Sequence, residues 1–230
     1  MTQTRSKYVG GSAGGLATRL SLHIRQQMFR DVMKLMQPTP QTTVLDVGVT
    51  CDRRADSNFF ERLYPYPQQL TAVGMEDASF LEDLYGITFI QTAGQSLPFP
   101  DQSFDLVVSF AVIEHVGTPQ QQTDFVQELC RVGKQVCVST PNRWFPVEFH
   151  TVLPLLHWFP PTIFRRLLRW LRKDFWAQES NLNLLDQRSL VALFPDTMKL
   201  HSQHYRLLGL TSNLLIHAQN PPPCHSSQTR

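Results

Sequence analysis

TTVLDVGVTCD, residues 42 to 52, runs through apolar positions and breaks at a single glycine, Gly48. A short apolar run closed by glycine reads as a buried strand turning toward a helix. The glycine lets a ligand approach the backbone, and a helix N-terminus behind it offers unpaired N–H groups to an anionic group. Four more strands of the same apolar character follow, LTAVGME (70–76), ITFIQTA (87–93), FDLVVSFAV (104–112) and KQVCVST (134–140). Between and before them lie helical patterns. One starts near Leu16, with Leu20, Ile24 and Met28 on one stripe, and stops at Gln37-Pro38. A second is expected from about Ala55 to Leu63, and a third is TDFVQELCRVG. Short Val/Leu/Ile strands separated by helices imply right-handed crossovers and a sheet covered on both faces. Lys199–Leu207 and Ser212–Ala218 are expected to close it as a hairpin-like pair, after a short helix in DQRSLVALF capped by Asp186. The expected fold class is therefore α/β, a Rossmann-like, doubly wound, mostly parallel seven-stranded sheet.

Composition narrows the setting. A chain of 230 residues, 42% hydrophobic, has room for one full core, so residues 16–219 are read as a single domain. Residues 1–15 and 220–230 are polar or proline-rich and are expected to be flexible and disordered, respectively. A formal charge of +2 argues weakly for any nucleic-acid partner. Cys51, Cys130, Cys137 and Cys224 form no CxxC pair, so neither a metal site nor a disulfide framework is expected. No apolar run reaches the roughly 20 residues a bilayer span needs, and the expected location is the cytoplasm.

In an open parallel sheet, ligands bind outside the carboxyl ends of the strands. Asp46 and Gly48 sit after the first strand, Glu76 after the second and Gly94-Gln95 after the third. Glu76 is placed to accept both hydroxyls of a ribose. Gly94 and Gln95 can bond an adenine edge, and Leu97 and Phe99 can sandwich the ring. Each feature alone has a plain reading as a turn, a cap or a solvated pair. Their order carries the weight.

SLPFPDQSFDLVVSFAVIEHV, residues 96–116, resembles the "LPFPDGSFDLVxxxxVLEHV" stretch of the class I S-adenosylmethionine-dependent methyltransferases of the type 11 kind. VLDVGV before it and STPNRWFPVE after it stand where that family's first and fifth strands stand, so the resemblance covers roughly residues 42 to 145. It implies S-adenosylmethionine as cofactor, with Asp46 and Gly48 by the methionine arm, Glu76 on the ribose, Ala93, Gly94 and Gln95 at the adenine, and Phe110 and Ala111 along the cofactor. Two departures stand out. Where the family reads DxGxGxG, this chain has Thr50 and Asp52 for the later glycines, and the acidic residue usual after the third strand is missing near Ala93. Asp52 either faces the cofactor's ammonium group or caps the helix expected from Arg53.

Methyl transfer from a sulfonium requires alignment and exclusion of water more than a base. Glu114 and His115 are the titratable pair nearest the expected methyl position, as base or as pocket wall. After the fifth strand, residues 142–180 form an aromatic, proline-punctuated insert on the acceptor side. Asn142, Arg143, Trp144, Glu148 and His150 are its candidate acceptor residues. PTIFRRLLRWLRKDF within it is a basic amphipathic helix, with Ile163, Phe164, Leu167, Leu168, Trp170 and Leu171 on one arc. It is either a lid with a solvated basic back or, through residues 162–175, a peripheral contact with an anionic membrane that admits a greasy or lipid-linked acceptor. Other classes fare worse. GGSAG (10–14) matches a hydrolase nucleophile pattern around Ser12 but follows no strand, and no GxGxxG supports a dehydrogenase. The rival that survives is a binding or scaffold protein of the same fold that no longer methylates.

Overall fold

The computed structural model describes residues 6–8, 16–54 and 57–220. One sheet contains β1 (Val44–Val47), β2 (Leu70–Gly74), β3 (Thr88–Gln91), β4 (Phe104–Phe110), β5 (Gly133–Pro141), β6 (Lys199–Leu207) and β7 (Leu210–Gln219). The order is β3-β2-β1-β4-β5-β7-β6, with β1 to β5 parallel and β7 antiparallel to both β5 and β6. The helices are α1 (Leu16–Met36), α2 (Phe59–Leu63), α3 (Phe80–Tyr85), α4 (Pro119–Val132), α5 (Pro161–Trp170) and α6 (Gln187–Val191).

Side chains along each strand alternate between two apolar layers, as a pleat with a two-residue period requires. Leu45, Val47, Val107, Val136 and Val138 face the layer built with Phe125, Val126 and Leu129 of α4 and Leu190 of α6. Val44, Leu106, Val108 and Cys137 face the opposite layer with Ile24, Met28 and Val32 of α1. Both faces are thus covered, which is why the strands read as continuous apolar runs.

Caps and breaks fix the helix ends. α1 stops where Gln37 takes a φ of 44°, just before Pro38. α4 starts four residues earlier than the apolar pattern suggests, because Thr118 and Gln121 cap each other's backbone N–H groups. Asp186 caps α6 by accepting the Ser189 N–H at 2.9 Å, as expected. The helix expected from Ala55 begins only at Phe59, and residues 55 and 56 lie outside the described residues, as do GGSAG and residues 221–230.

The insert packs less completely than its pattern implied. Phe164 and Leu168, one turn apart, are buried with Ala177 and Leu182. Ile163, Leu171 and above all Trp170, 79% exposed, stand outside. α5 ends at Trp170 and Arg172 turns the chain with a φ of 56°, so only one stripe of the arc reaches the body of the protein.

The strand order reverses between β1 and β4. There the two loops that leave the sheet pass close together: a Cβ on Gly48 would lie 2.2 Å from Cγ2 of Val112, and Gly48 has a φ of +118°. Gly48→Ala is expected to lower the urea unfolding free energy by on the order of 2–3 kcal/mol, since both strain and collision must be relieved. A change within about 0.5 kcal/mol in equilibrium melts would contradict this reading of the junction.

Candidate functional site

At this junction a cavity of about 330 Å³ opens over the carboxyl ends of β1, β2 and β4. Asp46, Gly48, Glu76, Gly94, Gln95, Phe110, Ala111, His115 and His150 all line it. Ala93 does not; it is exposed, and Thr92 takes the wall position beside it. Leu97 and Phe99 do not reach the cavity either. Leu97 is buried in the α4 layer and Phe99 packs edge-on against Phe104 at 4.9 Å. Arg131 holds that turn, donating to the Leu97 and Phe99 carbonyls while paired with Glu128 and Asp101.

The loop after β1 explains how one glycine suffices. Among its described residues only Gly48 and Asn58 have positive φ, so Thr50 and Asp52 need no glycine-like backbone. Asn58 clamps the loop instead. Its Oδ1 accepts the Thr50 N–H at 3.0 Å, and its Nδ2 donates to the carbonyls of Thr50 and Asp52 at 2.9 and 3.2 Å. Asp52 is buried behind the wall, accepting the Arg54 N–H at 2.8 Å and lying 3.6 Å from the Arg54 side chain. It therefore does not line the cavity, and no helix starts at Arg53: Arg53 and Arg54 are non-helical and α2 begins at Phe59.

Glu76 ties β2 to the same loop. Its Oε2 accepts from the Cys51 backbone N–H at 3.4 Å and the thiol at 3.2 Å. Burial and this carboxylate push the Cys51 thiol up to about 11.

The floor carries a group the sequence reading missed. Glu61 of α2 is buried beside Asp46, directly after Phe59 and Phe60, of which Phe59 meets Phe110 edge-on and Phe60 stacks on it. Burial raises both carboxyls above the ordinary range, and for Asp46 the neighbouring Glu61 raises it further. The only sequence signal was an acid set among aromatics in FFERL.

A second polar cluster lies where the chain leaving β4 meets the insert. Glu114 is fully buried; its Oε2 accepts from the Thr140 hydroxyl at 2.9 Å and its Oε1 has no hydrogen-bond partner. Burial raises its carboxyl. His115 Nδ1 lies 2.7 Å from the Asn181 carbonyl, and burial with His150 nearby lowers it to about 3. His150 Nδ1 lies 2.7 Å from Glu148 Oε1. Burial opposes charge on both partners, but their mutual attraction prevails: His150 is raised and Glu148 is lowered to about 2. Tyr8, from the segment expected to be flexible, packs on His115 at 5.4 Å between centroids.

Of the acceptor-side candidates, only His150 lines the cavity, with Glu148 behind it. Asn142 is spent on the Thr211 carbonyl, Arg143 on that of Phe159, and the Trp144 indole N–H on Asp186. Asn142 and Trp144 thus brace the insert against β7 and the start of α6, and Arg143 ties the insert to itself, all outside the cavity lining. Arg25, Asn58, Phe149 and Tyr8 line the cavity without having been foreseen.

Residues 64–136 match the family model described as a methyltransferase domain. The match spans about a third of the chain, and the sheet order and the cavity at its reversal agree with the resemblance to the class I S-adenosylmethionine-dependent methyltransferases of the type 11 kind. Its sequence is 28% identical over 197 residues to a demethylmenaquinone methyltransferase of Listeria welshimeri, covering 76% of each chain. Two solved structures share the fold. A Pyrococcus horikoshii protein has a TM-score of 0.58 at 15% identity, covering 91% of this chain and 94% of its own. The magnesium protoporphyrin IX methyltransferase of Synechocystis, with S-adenosylhomocysteine bound, has a TM-score of 0.57 at 11% identity, covering 93% and 91%.

The acid pair makes a pH prediction. A carboxyl raised in the folded state stabilises fully below its unfolded pKa of roughly 4, and that stability is lost as pH rises through the folded value. Unliganded protein should therefore lose stability from mildly acidic toward alkaline pH. Glu61→Gln should flatten that decline and raise stability at pH 8 by on the order of 1 kcal/mol. Parallel melts from pH 5 to 8 with the same slope for both proteins would rule the pair out as the cause.

Proposed function

We propose that this enzyme methylates a small lipophilic ring acceptor of the quinone type, collected at an anionic membrane surface. The observation that carries the proposal is the continuity of the insert with the cavity. Phe149 and His150 line the cavity, and the same segment exposes Val152, Leu155, Trp158, Phe159, Ile163 and Trp170. An apolar edge of this kind, flanked by the exposed Arg166, Arg169 and Arg172, suits a bilayer headgroup region. Arg165 contributes less, being paired with Glu179 at 3.2 Å. The Listeria relative's name supports the acceptor class. No helix among the described residues is long and apolar enough to cross a membrane, so the contact would be peripheral.

The cavity fits the cofactor in three ways. The buried acids Asp46 and Glu61 suit an ammonium group, the Gly48 backbone leaves room for the arm that carries it, and Glu76 stands ready for a ribose. Thr92, Gly94 and Gln95 line the cavity beyond β3, where the reading puts the adenine. When bound, S-adenosylmethionine supplies an activated methyl group on sulfur, and the protein's share is positioning and dryness. Phe59, Phe60, Phe110 and Phe149 exclude water from the cavity, while the Asn58 clamp and the Cys51–Glu76 bond keep the loop in place.

Calorimetry with S-adenosylhomocysteine should show one site, weakened roughly tenfold to hundredfold by Glu76→Ala, as loss of hydrogen bonds to a charged group implies. Glu61→Gln should also weaken it. No binding at millimolar ligand would favour the scaffold reading instead. In flotation with phosphatidylglycerol-containing vesicles at low salt, reversing Arg166, Arg169 and Arg172 to Glu should cut binding about a hundredfold or more, at about 1 kcal/mol per lost basic charge. Association that ignores both salt and these charges would defeat the membrane part.

A further inference from the structure

Glu114, His115 and His150 are brought together by different elements: the first two leave β4, while His150 comes from the insert. One potential ligand atom from each lies within 4.8 Å of the others. The imidazoles stand edge to face, with centroids 4.6 Å apart and planes at 86°.

The surroundings of each ring resemble those of a metal ligand. His115 Nδ1 meets a backbone carbonyl, which can only accept, so that nitrogen carries the hydrogen and Nε2 keeps its lone pair in the neutral ring. His150 Nδ1 is likewise turned to the Glu148 carboxylate, leaving Nε2 as its remaining nitrogen. Metal-binding histidines are held in this manner, with the far nitrogen donating to a carbonyl or carboxylate that fixes tautomer and orientation. The independent sign is Glu114. Its Oε1 is completely buried and has no hydrogen-bond partner, an expensive arrangement unless something accepts its lone pairs. Trp176 packs against both rings, at 5.9 and 5.0 Å, and limits their movement.

We propose that Glu114, His115 and His150 bind a divalent transition-metal ion of the zinc type, with at least one coordination position open to the cavity for an oxygen of the acceptor. Two imidazoles and one carboxylate suit such an ion and leave it coordinatively unsaturated. Zinc–ligand bonds of about 2.0–2.2 Å put neighbouring ligands roughly 3.3 Å apart, so the side chains must close by up to about 1.5 Å on binding. His115 and His150 line the cavity, so the open position faces it. Glu148 is a positioning residue that orients His150. The metal site stands on its own geometry; only the acceptor-oxygen ligand rests on the methyltransferase reading. The acceptor class becomes narrower in consequence: a ring bearing a phenolic or enolic oxygen that can coordinate.

The test is cobalt(II) titration of the full chain followed by visible absorption, with zinc calorimetry in parallel. About one equivalent should bind, with intense visible bands of a four- or five-coordinate site. His150→Ala and the volume-conserving Glu114→Gln should each weaken binding more than tenfold, and Glu148→Gln by about 10–100-fold. Cys51→Ser should leave it unchanged, which separates this site from thiol binding. Thermal melts and S-adenosylhomocysteine binding check that each variant is folded. No stoichiometric binding, or equal binding in folded His150→Ala and Glu114→Gln, overturns the site. Catechol should then shift the cobalt bands; bands untouched by saturating catechol overturn the acceptor-oxygen part. Because these readouts do not require turnover, metal binding without methyl transfer would count against the proposed reaction and leave the site intact.

Discussion

The approach of the β1 loop to the β4 loop sets the geometry of the whole site. Where the strand order reverses, the chain leaving β1 turns one way and the chain leaving β4 the other, and a crevice opens between them. Here they are so close that any side chain at position 48 would strike Val112. Gly48 solves this with a backbone conformation closed to other residues, and its N–H and that of Val49 both reach the Val73 carbonyl. Across the crevice Ala111 takes a φ of 56° as the chain departs from β4. Two unusual backbone turns thus set the two walls.

From that junction the cavity divides chemically. One end is acidic and aromatic, with Asp46 and Glu61 set among phenylalanines. At the other, two imidazoles line it, with the buried Glu114 and Glu148 behind them. Both ends bury ionisable groups at an energetic cost that a compact core alone would not require. Apolar side chains would pack these positions more stably, so the cost is best understood as preparation for charged or coordinating ligands. The insert links this interior to the outside, since one segment supplies both Phe149 and His150 at the cavity and the exposed aromatic edge beyond it.

Much of the wall was legible because it lies directly at strand ends. Asp46, Gly48, Glu76, Gly94, Gln95, Phe110 and Ala111 follow from where strands stop and on which side their loops leave the sheet. Residues placed by packing were not legible. Glu61 enters through a one-and-a-half-turn helix whose start was misjudged, and Arg25 faces the cavity from a helix distant in sequence. Leu97 and Phe99 were misread because apolar residues in a polar turn look available, when Arg131 and α4 had already drawn them into the core. Asn142, Arg143 and Trp144 follow β5 closely, yet their hydrogen bonds are used to brace the insert.

Residue order alone dictates the sheet, its doubly covered strands and the residues at the strand ends that line the cavity, because a two-residue side-chain period and glycine's backbone freedom are local properties. It also raises the question of how a loop with Thr50 and Asp52 could keep its shape. The answer appears once the chain is folded: Asn58 bonds across the loop and makes further glycines unnecessary. The pairing of Asp46 with Glu61, and of Glu114 and His115 with His150, likewise exists only in three dimensions. Burial, orientation and the partners left over for a polar atom depend on distant segments meeting, and no spacing along the chain records that meeting.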